Sequence, residues 1–137
     1  MQRMSRGVAL LMVIVIGGTI LSLGVIATRI VYNNLWTSQA MLLKEKSYWL
    51  ASGGLEWGEA SLKTNPDWFT DLPVLTNKKE WLVKTAIGET IVLANGQVKV
   101  VREKGSKLVY SVGSFASARV VMSGEFSAGK IERKREI

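Results

Sequence analysis

Arg6-Gly7-Val8-Ala9-Leu10-Leu11-Met12-Val13-Ile14-Val15-Ile16-Gly17-Gly18-Thr19-Ile20-Leu21-Ser22-Leu23-Gly24-Val25-Ile26-Ala27-Thr28-Arg29 is the stretch whose reading decides the fold. Val8 to Thr28 is a run of 21 residues without a charge. As a helix rising about 1.5 Å per residue it spans about 31 Å, the thickness of a bilayer's hydrocarbon core. Twelve of its residues are Val, Ile or Leu, which favours insertion by about 4 to 7 kcal/mol. Arg3 and Arg6 precede the run without an acid among them, and by the positive-inside rule they hold the N-terminus in the cytoplasm. Arg29 closes the run, and its long side chain can reach the headgroups. A cleaved secretory signal is the main competing reading, with a weak small-residue site at Val25-Ile26-Ala27. Its apolar region would be about 7 to 15 residues, shorter than this one. Gly18 with Ser22, and Gly24 with Thr28, have the small-xxx-small spacing that lets membrane helices approach closely.

The helix does not end with the membrane. Ile30 to Lys63 contains no proline, and its glycines are confined to Gly53, Gly54 and Gly58. Leu35, Leu42 and Trp49 recur every seven residues, Leu55 and Leu62 continue that line, and Leu43, Leu50 and Trp57 form an adjacent one. Asn65-Pro66 ends the helix, because the residue before a proline disfavours the helical region. A helix from Val8 to Lys63 would be about 84 Å long. Its three glycines weaken it by about 2 to 3 kcal/mol relative to alanine, so packing is expected to compensate. Trp49 and Trp57 are read as the face that a head covers, and Trp36 as a residue near the membrane interface. Glu56 and Glu59 share a helical face. They are read as solvated carboxylates, open to a neighbour's basic residues, rather than as an acid–base pair.

Beyond a connecting loop, Pro66 to Pro73, the period drops to two. Thr90–Ala94 and Gln97–Arg102 are strands around an Asn95-Gly96 hairpin signal. Lys104-Gly105-Ser106 turns, Leu108, Tyr110 and Val112 alternate, Gly113–Ser117 turns again, and Arg119–Phe126 is the last strand. The expectation is an α+β fold: a long N-terminal transmembrane helix packed against a small antiparallel sheet of about four strands, whose apolar face the helix must cover. The tail from Lys130 to Ile137 reads as a solvated basic segment, and Arg119 as the partner of a carboxylate.

Composition limits the chemistry. The 137 residues include no cysteine and no histidine. Disulfides and thiol nucleophiles are therefore excluded, and no metal site or cofactor is expected. No phosphate-binding loop, metal-ligand cluster or nucleophile elbow occurs, so no catalytic residue is assigned and an enzyme is not expected. The net charge is +7, with twelve basic and seven acidic residues after residue 70. Such a surface attracts anionic lipid or nucleic acid, but no aromatic-and-basic stripe supports the latter.

The start, a short basic leader, a glycine and a long apolar helix, resembles a prepilin leader. Together with Lys46-Ser47-Tyr48-Trp49-Leu50-Ala51-Ser52-Gly53-Gly54-Leu55-Glu56, it is similar to the minor pilins and pseudopilins of the type IV pilin-like class, competence pseudopilins included. The likeness covers residues 1 to about 63. It implies a leader at 1–7, a transmembrane helix at 8–29, its extramembrane continuation at 30–65, and a β-rich head with a basic tail at 66–137. It also implies cleavage by a prepilin peptidase between Gly7 and Val8, and N-methylation of the new terminus at Val8. The fifth mature residue, glutamate in major pilins, is here Met12. A subunit without that carboxylate cannot pair it with the amine of a neighbour ahead of it, which suits a tip or priming subunit.

The partners implied are the prepilin peptidase, other minor pilins or pseudopilins, the inner-membrane platform protein and membrane lipid. The implied place is the cell membrane, with the head extracytoplasmic, or a surface or periplasmic filament. The alternative is a single-pass membrane-anchored accessory or binding protein that never polymerises.

Overall fold

The computed structural model describes residues 2–93 and 95–137, with side chains from residue 7 onward. Helix α1 is Gln2–Thr64. It contributes to two compact units, one ending at Gln39 and the other Ala40–Ile137. In the first unit no residue from 7 to 39 is buried.

The second unit joins the rest of α1 to a five-stranded antiparallel meander, so the fold is α+β. The strands are β1 (Glu89–Leu93), β2 (Gly96–Arg102), β3 (Leu108–Phe115), β4 (Ala118–Ser127) and β5 (Lys130–Glu136), in that spatial order. β1 and β2 are joined by residues 94 and 95, with Leu93 opposite Gly96. The hairpin therefore sits one residue earlier than Asn95-Gly96 suggests; Ala94, the end of the expected first strand, lies outside the described residues. α1 stops at Thr64 as Asn65-Pro66 requires, and the Asn65 side-chain oxygen accepts the Asp67 N–H at 3.1 Å to fix the exit turn.

The seam between helix and sheet explains the glycines. Ser47, Ala51, Gly54 and Gly58, spaced four, three and four apart, form a small-residue stripe on α1 that faces β3. β3 answers with Val109, Ser111 and Gly113, which shrink as the facing helix residues grow from Gly58 and Gly54 to Ala51 and Ser47. A Cβ on Gly58 would lie 2.9 Å from Val109 Cγ1, one on Gly54 would overlap Ser111 Oγ, and one on Gly113 would lie 2.6 Å from the Ala51 backbone nitrogen. Leu55 and Leu62 fill the space beside the stripe with Val98, Val100, Val120 and Ile131. The helical weakness of the glycines is thus offset by backbone-close packing. Trp49 is not part of that face: it is 66% exposed, whereas Trp57 packs edge-on against Trp68 with ring centroids 5.7 Å apart. The covered face runs along the small-residue stripe with Leu55 and Leu62 beside it, and Trp49 lies off that face.

Three further expectations change. Gly113, Ser114 and Phe115 belong to β3, and the turn is only Ala116-Ser117, because Gly113 is needed for close approach rather than for reversal. The basic tail is solvated as expected, with only Ile131 buried, but it is strand β5, paired with β4 and anchored by Ile131, which occupies the space a side chain at Gly124 would take. The sheet has two covered faces rather than one. Helix α2 (Lys78–Glu80) and the π-helical turn Trp81–Thr85 cover the other face, burying Trp81, Leu82 and Ala86 against Val101, Tyr110, Val112 and Val121.

Two buried carboxylates hold that outer layer. The Asp71 carboxylate accepts the backbone N–H groups of Ile87 and Gly88, each at 2.9 Å. Glu103 accepts the Val74 N–H at 2.8 Å and the Lys78 ammonium at 2.6 Å. Burial works against the charge on Lys78, but its contacts with Glu103 and Tyr110 outweigh that and raise its pKa above the ordinary lysine value. Arg102 adds a third tie, donating to the carbonyls of Ser106, Pro66 and Trp68.

Ser111 Oγ is buried at the centre of the seam without a hydrogen-bond partner among the described residues. An unsatisfied hydroxyl costs about 1 to 3 kcal/mol. Ser111→Ala is therefore expected to leave the melting midpoint unchanged or raise it; a clear fall would mean that the hydroxyl has a partner.

Candidate functional site

Gly7, Val8 and Met12 all lie on α1, in the unit that ends at Gln39. Among the described residues nothing stands within 4 Å of the Cβ position of Gly7, and Val8 and Met12 are exposed. Val8 and Met12 are one turn apart, on the same face. The helix that carries them is long and apolar enough to cross a membrane.

The hydroxyls of its uncharged run, Val8 to Thr28, are satisfied within the helix. Thr19 donates to the Ile16 carbonyl at 2.7 Å, Ser22 to Gly18 at 2.8 Å, and Thr28 to Gly24 at 2.8 Å. Hydroxyls that bond back to the preceding turn leave no free donor for a hydrocarbon surrounding to penalise. The two small-xxx-small steps of the sequence are thus hydrogen-bonded pairs within one helix. A shallow notch follows at Gly24, bordered by Ile20, Thr28, Arg29 and Tyr32. Tyr32 and Trp36 stack at a tilt, with centroids 6.5 Å apart, just past Arg29, an aromatic pair of the kind that sits at a membrane–water boundary.

Glu56 and Glu59 do not form an acid–base pair. Glu59 accepts the Lys63 ammonium at 2.6 Å and the Ile131 backbone N–H at 2.9 Å. Glu56 lies 3.7 Å from Lys134, and Lys44 lies 3.0 Å from Glu136. The expectation of solvated carboxylates open to a neighbour is corrected in part: their partners are in this chain, and they tie β5 to the helix. The exposed ion pairs contribute little individually. The bond to Ile131 does more, since it satisfies an edge-strand donor that would otherwise be open to pairing.

The bonds from Lys63 and Ile131 hold the Glu59 pKa below the ordinary glutamate value. A carboxylate that titrates lower in the folded state contributes stability above its unfolded pKa, about 4.3, and loses it as the pH falls through the folded value. The Ile131 amide shift should follow a titration with its midpoint below about pH 4.3, and Glu59→Gln should abolish it. A midpoint at or above the ordinary value would contradict the bond.

On the other side of α1 lies an apolar groove of about 510 Å³ beside the open edge of β1, walled by Trp49, Leu50, Trp57, Ile91, Leu93 and Phe115, with Lys46 at one end. The Lys46 ammonium sits 4.7 Å from the Phe115 ring centroid. No signal for this groove exists in the sequence, because its walls come from α1, β1, β2 and the end of β3. Arg119 and Lys99, on the opposite face of the sheet, also share a cavity. Arg119 has no carboxylate partner among the described residues, contrary to expectation, because the strand position beside it is Ser114, with Gln97 one strand further on, and neither is an acid.

The chain matches no family model, and no curated protein or solved structure is significantly similar to it.

Proposed function

We propose that the chain is a minor pilin or pseudopilin, anchored by the first part of α1 and presenting the meander head outside the cytoplasm. In this reading a prepilin peptidase cuts between Gly7 and Val8, and Val8 is then N-methylated. With other minor subunits and the inner-membrane platform protein, the mature chain initiates or caps a pilus-like filament serving pilus biogenesis, DNA uptake or type II-like secretion. The observation that carries the reading is one helix with two uses. Its N-terminal stretch is apolar, exposed and internally hydrogen-bonded, and its stretch from Ser47 to Leu62 is the core of a small antiparallel head. The Arg6-Gly7-Val8 leader supports the processing step.

A second reading is favoured by Met12. An apolar residue where a shaft subunit would carry its assembly carboxylate also fits a membrane-anchored accessory protein that never polymerises.

Intact-mass measurement of the full chain, produced with and without prepilin peptidase, separates the two. The pilin reading expects loss of Met1 to Gly7 and gain of one methyl group only when the peptidase is present. Gly7→Leu should block the cut. No peptidase-dependent change would exclude the pilin reading and leave the uncut anchor.

A further inference from the structure

The back of the sheet carries a polar trough of about 210 Å³ that none of the foregoing uses. Lys99 of β2 and Arg119 of β4 both line it. Between them on β3 stands Ser114, directly opposite Gln97 on one side and Arg119 on the other. Thr90, paired with Lys99, adds a second hydroxyl. Val83 of the π-helical turn and Ile87 close the trough with an aliphatic wall.

The electrostatics point one way. No acidic residue lines the trough. Neither Lys99 nor Arg119 forms an ion pair among the described residues, although six other such pairs occur there. The two side chains stem from strands separated by β3 and are offset by two residues along it, Lys99 opposite Val112 and Arg119 opposite Ser114, so their stems are about 12 Å apart, and an anion lying over Ser114 is within reach of both long side chains. A lining charge of +2 complements a dianion better than a monocarboxylate. The hydroxyls of Ser114 and Thr90 and the Gln97 amide add neutral donors for the remaining oxygens. The volume is several times the roughly 30 Å³ a water molecule takes in the liquid, with room for a ring as well as its phosphate. Val83 and Ile87 offer that ring's C–H face an apolar surface.

We propose that this trough binds a phosphate group carried on a sugar ring, held between Arg119 and Lys99. Such a group occurs in free sugar phosphates and in nucleotides. The inference stands independently of the pilin reading.

The test is titration of the full chain in nonionic detergent micelles at about 150 mM salt, where screening removes loose surface attraction. Glucose 6-phosphate, adenosine 5′-monophosphate, inorganic phosphate and glucose are the probes, followed by backbone amide shifts. A phosphorylated sugar should bind saturably, moving the amides of Gln97, Lys99 and Ser114, and the tighter of the two identifies the source. The Lys99→Gln/Arg119→Gln double variant should bind at least about tenfold more weakly, with an unchanged melting midpoint. Lys99→Arg/Arg119→Lys, which keeps both charges, should retain binding if the chain folds as before. Equal binding by the neutralised variant, equal binding of glucose, or shifts centred on the basic residues of β5 would overturn the proposal. Equal affinity for inorganic phosphate would overturn its sugar component.

Discussion

Gly113→Ala is expected to destabilise the head by about 3 kcal/mol, lowering its melting midpoint by about 12 °C or more, and Gly113→Val should leave no folded head. Gly113 sits on the central strand of the sheet, opposite Val98 on β2 and Val120 on β4. The atoms that a Cβ would meet are the Ser47 carbonyl oxygen and the Ala51 backbone nitrogen, the latter at 2.6 Å. Neither is the flexible end of a side chain, so a rotamer change cannot relieve the overlap. The helix itself must move away, and Ala51 and Leu55, both fully buried against the sheet, move with it. The Ser47 hydroxyl, which donates to the Ala118 carbonyl at 3.1 Å, would lose that bond. Gly53→Ala is the internal control, because a Cβ there meets nothing within 4 Å. It should stabilise the helix by about 0.5 to 1 kcal/mol. Thermal unfolding of both variants in detergent checks the pair; the same sign for both would mean that the seam can adjust and that the close approach at Gly113 is not a constraint.

That contrast shows where the sequence is readable and where it is not. The membrane-length run is legible because hydrophobicity and charge act locally, and the end of α1 because a proline restricts its own neighbour. The alternation in β2 and β4 is legible for the same reason. Gly113 looks like a turn residue because glycine's two uses, reversal and close approach, are identical in one dimension. β5 looks like a charged tail because only Ile131 of its seven residues is buried. What makes it a strand is pairing with β4 and the Glu59 carboxylate on Ile131, neither visible locally. The segment from Val74 to Gly88 lacks a clean period because it is a short cover held by carboxylates from elsewhere. Within the candidate site, Gly7, Val8 and Met12 are placed by the leader pattern alone. The convergence of Lys99 with Arg119 exists only once three strands are in register.

Asp71→Asn is expected to destabilise the head by about 2 kcal/mol despite its identical shape. Asp71 is only 8% exposed, and its two carboxylate oxygens take one backbone N–H each, from Ile87 and Gly88. Two consecutive amides aimed at two oxygens demand two acceptors. An asparagine supplies one, and turns an N–H₂ donor toward the other N–H, leaving a buried donor unsatisfied whichever way the amide is flipped. Gly88 cannot readily turn aside: its φ is +50°, and a Cβ there would lie 2.9 Å from the Val100 carbonyl oxygen. The substitution therefore loosens the entry to β1 rather than merely weakening one bond. Amide exchange at Ile87 and Gly88 should accelerate more than the fall in global stability explains, and Asp71→Ala should be no less damaging than Asp71→Asn. A neutral Asp71→Asn would mean that the residue only fills space. Ile87 also forms part of the wall of the trough that holds Lys99 and Arg119. Loosening the clamp should accordingly weaken sugar-phosphate binding without touching either cation, which links the buried carboxylate on one loop to recognition in the trough beside it.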